Sequence, residues 1–158
     1  MTYRLELDGW KSNIMFSSAH ILLGHKRCGV LHGHTYAINL KIYGNKDEQD
    51  FVIDFAHVKK VLRDIADSLD HKVLIPKDNS YFKILDKEII VEFEGKKYVF
   101  PKDDCIFLPM KNITAENLSQ YVLDEMIKGF DIPENISKLE IGIDEGFGQG
   151  AWIEKIVG

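Results

Sequence analysis

The chain has 158 residues, 45% of them apolar and 28% charged, with a formal net charge of −5. That length supports one domain with a substantial hydrophobic core, and the acidic balance argues against a general nucleic-acid binder, which needs a basic face. No apolar run approaches the roughly 18 residues of a membrane span, and Met1 to Trp10 lacks a signal-peptide core, so cytoplasmic residence is expected.

In chain order, Ile14 to Ala19 reads as a strand. Thr35 to Tyr43 alternates, with Tyr36, Ile38, Leu40 and Ile42 on one face. A helix follows from Asp54 to Leu69, with Asp54 as N-cap and Phe55, Val58, Leu62, Ile65 and Leu69 at helical spacing. Glu88 to Phe93 and Lys97 to Phe100 flank Glu94-Gly95-Lys96, which predicts a short hairpin. A second helix runs from Ala115 to Lys128. Thr114 caps it, Leu118, Tyr121, Val122 and Met126 form its stripe, and Gly129 ends it. Leu139 to Ile143 and Ala151 to Val157 read as the last strands. Two separated strand pairs with two helices predict an α+β fold, an antiparallel sheet covered on one face. With only Cys28 and Cys105 present, no disulfide framework is expected, and Cys105 reads as a small buried hydrophobe.

The chemistry concentrates in Cys28-Gly-Val-Leu-His-Gly-His34. Two histidines one residue apart on a strand point to the same face. His32 and His34 share parity with the Tyr36 face, and His20 shares parity with Ile14, Phe16 and Ser18 on the preceding strand. If both faces look inward, three imidazoles meet, a donor set that suits zinc and leaves a coordination position open, as catalytic sites do. A structural site using Cys28 with two histidines is the competing reading, but it matches the usual paired-cysteine spacings poorly. His25 and His57, taken singly, read as ordinary core or surface residues. Asp70-His71 closes the first helix, where a carboxylate orients an imidazole and the helix dipole favours its protonated form. Glu145 continues the parity of Leu139, Ile141 and Ile143, so it is either a carboxylate on an apolar face that needs a partner or a solvated residue past the strand end.

These residues resemble the 6-pyruvoyltetrahydropterin synthase superfamily, which includes 6-carboxytetrahydropterin synthase. The resemblance rests on Phe16-Ser-Ser-Ala-His20, Cys28 to His34, Val52-Ile-Asp-Phe55, Leu69-Asp-His71, Thr114-Ala-Glu-Asn-Leu118 and Ile143-Asp-Glu145, in that order. It covers nearly the whole chain except roughly 75–110. It implies the tunnelling fold (T-fold): a four-stranded antiparallel sheet with two helices on one face, here with an inserted hairpin. It also implies homo-oligomers, commonly hexamers built as dimers of trimers, with sites at subunit interfaces. His20, His32 and His34 would hold a catalytic zinc. Cys28 would be the general base, with Asp70 and His71 as its proton-relay partner. Glu145 would anchor the pterin ring, and Thr114 and Glu116 match a motif lining the same pocket. Lys26 and Arg27 could help depress the Cys28 pKa or meet the triphosphate; they could equally be a solvated loop.

The substrate the resemblance implies is 7,8-dihydroneopterin triphosphate. Three residues separate Cys28 from His32, the spacing of the carboxy-type branch. That branch releases acetaldehyde and triphosphate, gives 6-carboxy-5,6,7,8-tetrahydropterin, and feeds 7-deazaguanine synthesis for queuosine or archaeosine. No contact with tRNA is needed. A pyruvoyl synthase or related side-chain lyase is the alternative within the superfamily. The aldolase-like relatives carry a Glu near the cysteine position, and no Glu lies between His20 and His34. A noncatalytic, zinc-containing pterin- or purine-binding oligomer is the alternative outside it. The sequence departs from the family pattern at the 75–110 insert and at Gly146, where threonine is more usual; the following glycine-rich run is expected to be a flexible loop that could reshape the pterin pocket.

Overall fold

The computed structural model describes residues 1–158. Its elements are β1 (Tyr3–Leu7), β2 (Met15–His20), β3 (His32–Gly44), α1 (Phe55–Leu69), β4 (Lys72–Pro76), β5 (Phe82–Ile84), β6 (Glu88–Phe93), β7 (Lys96–Pro101), β8 (Cys105–Leu108), α2 (Ala115–Gly129), β9 (Ile136–Glu145) and β10 (Gly150–Ile156).

The expected antiparallel strands form one continuous run, β10-β9-β3-β2. The sheet is wider than those four. β4 and β8 extend it beyond β2 in parallel pairings. β3 is 13 residues long, so β2 pairs with its first part and β1 with its last. β4 and β8 are short apolar runs, Lys72-Val-Leu-Ile-Pro76 and Cys105-Ile-Phe-Leu108. Strands shielded on both faces lose the polar–apolar alternation that marks a half-exposed strand.

Local chemistry accounts for the helices. The Asp54 carboxylate accepts the Ala56 N–H at 2.8 Å and opens α1. The Thr114 hydroxyl accepts the Asn117 N–H at 3.2 Å and opens α2. Val58, Leu62, Ala66 and Leu69 from α1, with Leu118, Val122, Leu123 and Met126 from α2, are buried. They belong to one core with Phe16, Tyr36, Ile38, Leu40, Ile42, Leu139, Ile141 and Ile143 of the sheet. Three stripe residues sit further out than their spacing predicts: Phe55, in the first turn of α1, is 39% exposed, and Ile65 and Tyr121 are half-buried.

The middle of the insert folds as a separate three-stranded sheet, β5-β6-β7, while β8 near its end joins the main sheet. The predicted hairpin is its β6–β7 pair. Glu94 and Gly95, the two turn residues, have φ of 47° and 78°, the positive values that match a two-residue hairpin to strand twist. Phe82, Ile89, Val91 and Phe100 from the insert form a second, smaller core with Ile21, Ile75 and Cys105. Burial pushes the Cys105 thiol up to about 11, so it stays an unreactive hydrophobe. No helix is long and apolar enough to cross a membrane.

Candidate metal centre and active site

The antiparallel register of β2 against β3 builds the centre. His20 lies directly opposite His32, Ser18 opposite His34, and Phe16 opposite Tyr36. Directly opposed residues share a face, so three imidazoles converge at the end of the apolar face of the sheet. Their ring centroids are 4.5, 5.0 and 5.2 Å apart. One ligand nitrogen from each lies within 4.8 Å of the others, so the three can hold a metal ion.

The surroundings select the nitrogens. His20 Nδ1 lies 2.9 Å from the carbonyl oxygen of Ile113, and His32 Nδ1 lies 2.7 Å from that of Val30. A carbonyl can only accept, so each Nδ1 carries the proton and each Nε2 presents a lone pair. Those two Nε2 atoms face each other at 3.0 Å. Two lone pairs at that distance repel unless a cation lies between them. Metal–nitrogen bonds of about 2.0–2.1 Å would span them with little adjustment. His20 is only 1% exposed. Burial lowers its pKa to about 4, and the neighbouring His32 and His34 push it the same way. It is therefore the neutral imidazole that a metal requires. The residues present fit the metal that their pattern implied.

Tyr36 closes the inner end of the centre. Its ring stacks on Phe16 with centroids 4.7 Å apart and meets His34 edge-on at 5.4 Å. Its hydroxyl is buried and has no hydrogen-bond partner. Burial, and then the charge of Glu145, push the phenol pKa far up, so the hydroxyl stays protonated.

Glu145 sits directly opposite Tyr36 in the β3–β9 register, on the face that carries the three imidazoles. It is half-buried, and its carboxylate makes no ion pair or hydrogen bond within the chain. The strand has not ended before Glu145; it is the last residue of β9. The run after it is a defined turn, with Gly146 at φ 74° and Gly148 at φ 92°. Gly146 N–H donates to Thr35 O at 2.9 Å, and Glu145 N–H donates to Gln149 O at 3.0 Å.

Cys28 lies in the loop between β2 and β3, as a half-buried free thiol. It is not a member of the three-residue metal group. Thr114 acts as the N-cap of α2, one residue beyond the Ile113 carbonyl that orients His20. Glu116 is exposed in the first turn of α2, and no contact ties its carboxylate to the imidazoles.

Asp70 and His71 form a dyad, with Asp70 Oδ2 2.8 Å from His71 Nδ1. The dyad is pinned to β2: Ser17 N–H donates to Asp70 Oδ1 at 2.7 Å, and His71 N–H donates to Ser17 O at 2.7 Å. The Ser17 bond, and after it the His71 contact, hold the Asp70 carboxyl below its usual range. His71 has φ 56°, a left-handed conformation that is uncommon for a residue with a Cβ and is kept here by these bonds. Its side chain is 85% exposed. It lines a cavity of about 550 Å³ with Ser17, Ser18, Ala19, Gly33, His34 and Thr35. Ser17, Ala19, Gly33 and Thr35 alternate to the side of the sheet opposite His20, His32 and Tyr36. One chain therefore joins Glu145 to the metal centre but sets the dyad over the other face.

Sequence reasoning passed over Ile113 and Val30, because a backbone carbonyl orienting an imidazole leaves no residue-type signal. It placed Tyr36 correctly on the core face without showing that its hydroxyl lacks a partner.

Comparison with known proteins agrees with this geometry. The family model for 6-pyruvoyl tetrahydropterin synthase matches residues 10–155. The chain belongs to this family. A Methanocaldococcus jannaschii protein provisionally named 6-carboxy-5,6,7,8-tetrahydropterin synthase is 42% identical, covering 96% of each chain. The Rickettsia typhi 6-carboxy-5,6,7,8-tetrahydropterin synthase is 32% identical over 77% of this chain and 82% of its own. Among solved structures, Plasmodium vivax 6-pyruvoyltetrahydropterin synthase superposes with a TM-score of 0.91 at 25% identity, covering 99% of each chain. The fold is the tunnelling fold these proteins share, and the span matched includes the insert.

Proposed function

We propose that this protein is a zinc-dependent 6-carboxy-5,6,7,8-tetrahydropterin synthase acting on 7,8-dihydroneopterin triphosphate. It would add water and release acetaldehyde and triphosphate, and the product would serve 7-deazaguanine synthesis. The observation that carries the reading is the shared face: three metal-ready imidazoles and an unpaired carboxylate, Glu145, at the same end of the sheet. The similarity to named carboxy-type synthases and the Cys28 to His32 spacing favour this branch.

Zinc bound by His20, His32 and His34 would supply Lewis acidity toward the side-chain hydroxyls of the substrate. Glu145 accepts hydrogen bonds from the 2-amino group and ring N–H of the pterin, which fixes the ring while its side chain reaches the imidazoles. Thr114 and Glu116 border the same pocket. Cys28 takes a proton from the substrate side chain as its thiolate. Asp70 and His71 relay that proton; because they lie over the opposite face, they serve the Cys28 of a neighbouring copy. The active site is then shared between subunits of a homo-oligomer, here taken as a hexamer, in a single-domain chain that works in the cytoplasm.

The test is a product assay with zinc-loaded protein and dihydroneopterin triphosphate, with Cys28→Ala in parallel. Carboxytetrahydropterin with acetaldehyde, lost in the variant, supports the reading. A second reading, the pyruvoyl branch, is favoured by the Plasmodium structures, which superpose over the whole chain. It predicts a pyruvoyl product without acetaldehyde. Full zinc occupancy with no turnover would leave a noncatalytic pterin binder.

A further inference from the structure

Two histidines fall outside the metal centre and the dyad. His57 only meets Phe130 edge-on on the helical side. His25 lies in the Cys28 loop, and its hydrogen bonds define that loop. Its Nδ1 accepts the Cys28 backbone N–H at 3.0 Å and the Arg27 N–H at 3.3 Å. Its own N–H donates to Leu22 O at 3.2 Å, and its carbonyl accepts the Gly29 N–H at 3.0 Å. Leu22 N–H donates to Cys28 O at 2.8 Å and closes the ring of bonds. The turn is tight enough that a Cβ at Gly29 would come within 2.4 Å of His25 O.

An imidazole that accepts at Nδ1 must be neutral, with its proton on Nε2. In that form it gathers two adjacent N–H groups, as an Asx side chain does in a turn. Without it, Cys28 N–H loses its only partner in the chain, and the residue is held only through its carbonyl and the backbone of Gly29. The outer side of the loop rests against the insert: Leu23 and His25 share a cavity of about 220 Å³ with Phe93 and Tyr98. We propose that His25 is a positioning residue that fixes the Cys28 backbone, and so the direction of its thiol, with the insert backing the loop. This rests on the assignment of Cys28 as the base.

The test uses metal-loaded, full-length protein carrying His25→Leu or His25→Asn. The Asn side chain offers an acceptor oxygen at the same distance along the chain as Nδ1. Amide hydrogen exchange at Cys28 reads the loop, and kcat and KM for dihydroneopterin triphosphate read the chemistry. His25→Leu should speed Cys28 exchange about five- to tenfold, the equivalent of one lost hydrogen bond, and lower kcat by a similar factor. KM and bound metal should not change. His25→Asn should restore both exchange and kcat. Unchanged exchange in His25→Leu overturns the proposal, as does faster exchange with full kcat, or a His25→Asn variant no better than His25→Leu. Failure of the underlying assignment looks different: Cys28→Ala would retain turnover, whatever the exchange at the Cys28 amide.

Discussion

Replacing Tyr36 with Phe removes one oxygen and nothing else. Tyr36 is 0% exposed, and its hydroxyl has no partner. Leaving a buried hydroxyl unpaired costs about 1–3 kcal/mol of desolvation, whereas the stacked contact with Phe16, at 4.7 Å and 12° between planes, uses only the ring. Tyr36→Phe should therefore raise the unfolding free energy by about 1 kcal/mol, after allowing for the small void left behind. For a chain of this size that corresponds to roughly 2–4 °C in Tm. Urea unfolding at neutral pH measures it, with an unchanged slope showing that the denatured state is the same. Metal affinity should also hold, because the edge contacts to His34 and His20 come from the ring. A loss of 1 kcal/mol or more would refute the reasoning: the hydroxyl would then have a partner in solution, and Glu145, directly opposite, would be the first to test.

Protons should destabilise the metal-free protein through His20. Its folded pKa of about 4 lies below the 6.5 of an unperturbed histidine, so the unfolded chain binds the extra proton throughout that window. Stability should be complete above about pH 6.5 and fall as pH drops toward 4, by about 3 kcal/mol in total. His20→Gln should flatten that part of the profile, and an unchanged slope would refute the assignment. Saturating zinc should stabilise the folded protein by about 4 kcal/mol at a thousandfold excess over Kd, as a thermal shift that chelator reverses; a shift that survives in His32→Ala would place the metal elsewhere. Gly142→Ala would bring a Cβ to 2.5 Å from the Trp152 ring, which Lys41 covers at 4.3 Å. Because Trp152 is half-exposed and can give way, the cost should be about 1 kcal/mol, with a change in tryptophan fluorescence; unaltered fluorescence would mean that the two residues do not pack in solution.

The sequence by itself determined whatever depends on spacing along one element. Parity along β2 placed His20 on the face of Phe16, and parity along β3 placed His32 and His34 on the face of Tyr36, because side chains alternate with a period of two. The same rule put Glu145 beyond Ile143, and capping chemistry located both helix starts. β4 and β8 left no signal in the sequence because strands buried on both sides carry no alternation. Tertiary structure alone decided how separate elements meet. The β2–β3 register set His20 against His32, the loop before α2 brought the Ile113 carbonyl to His20 Nδ1, and the end of α1 fixed Asp70 and His71 to the backbone of Ser17 on the far side of the sheet. Register and crossing geometry come from long-range packing, which no local pattern encodes. For the same reason His25 read as an ordinary core or surface histidine, although the fold of its loop turns its ring onto the Cys28 amide.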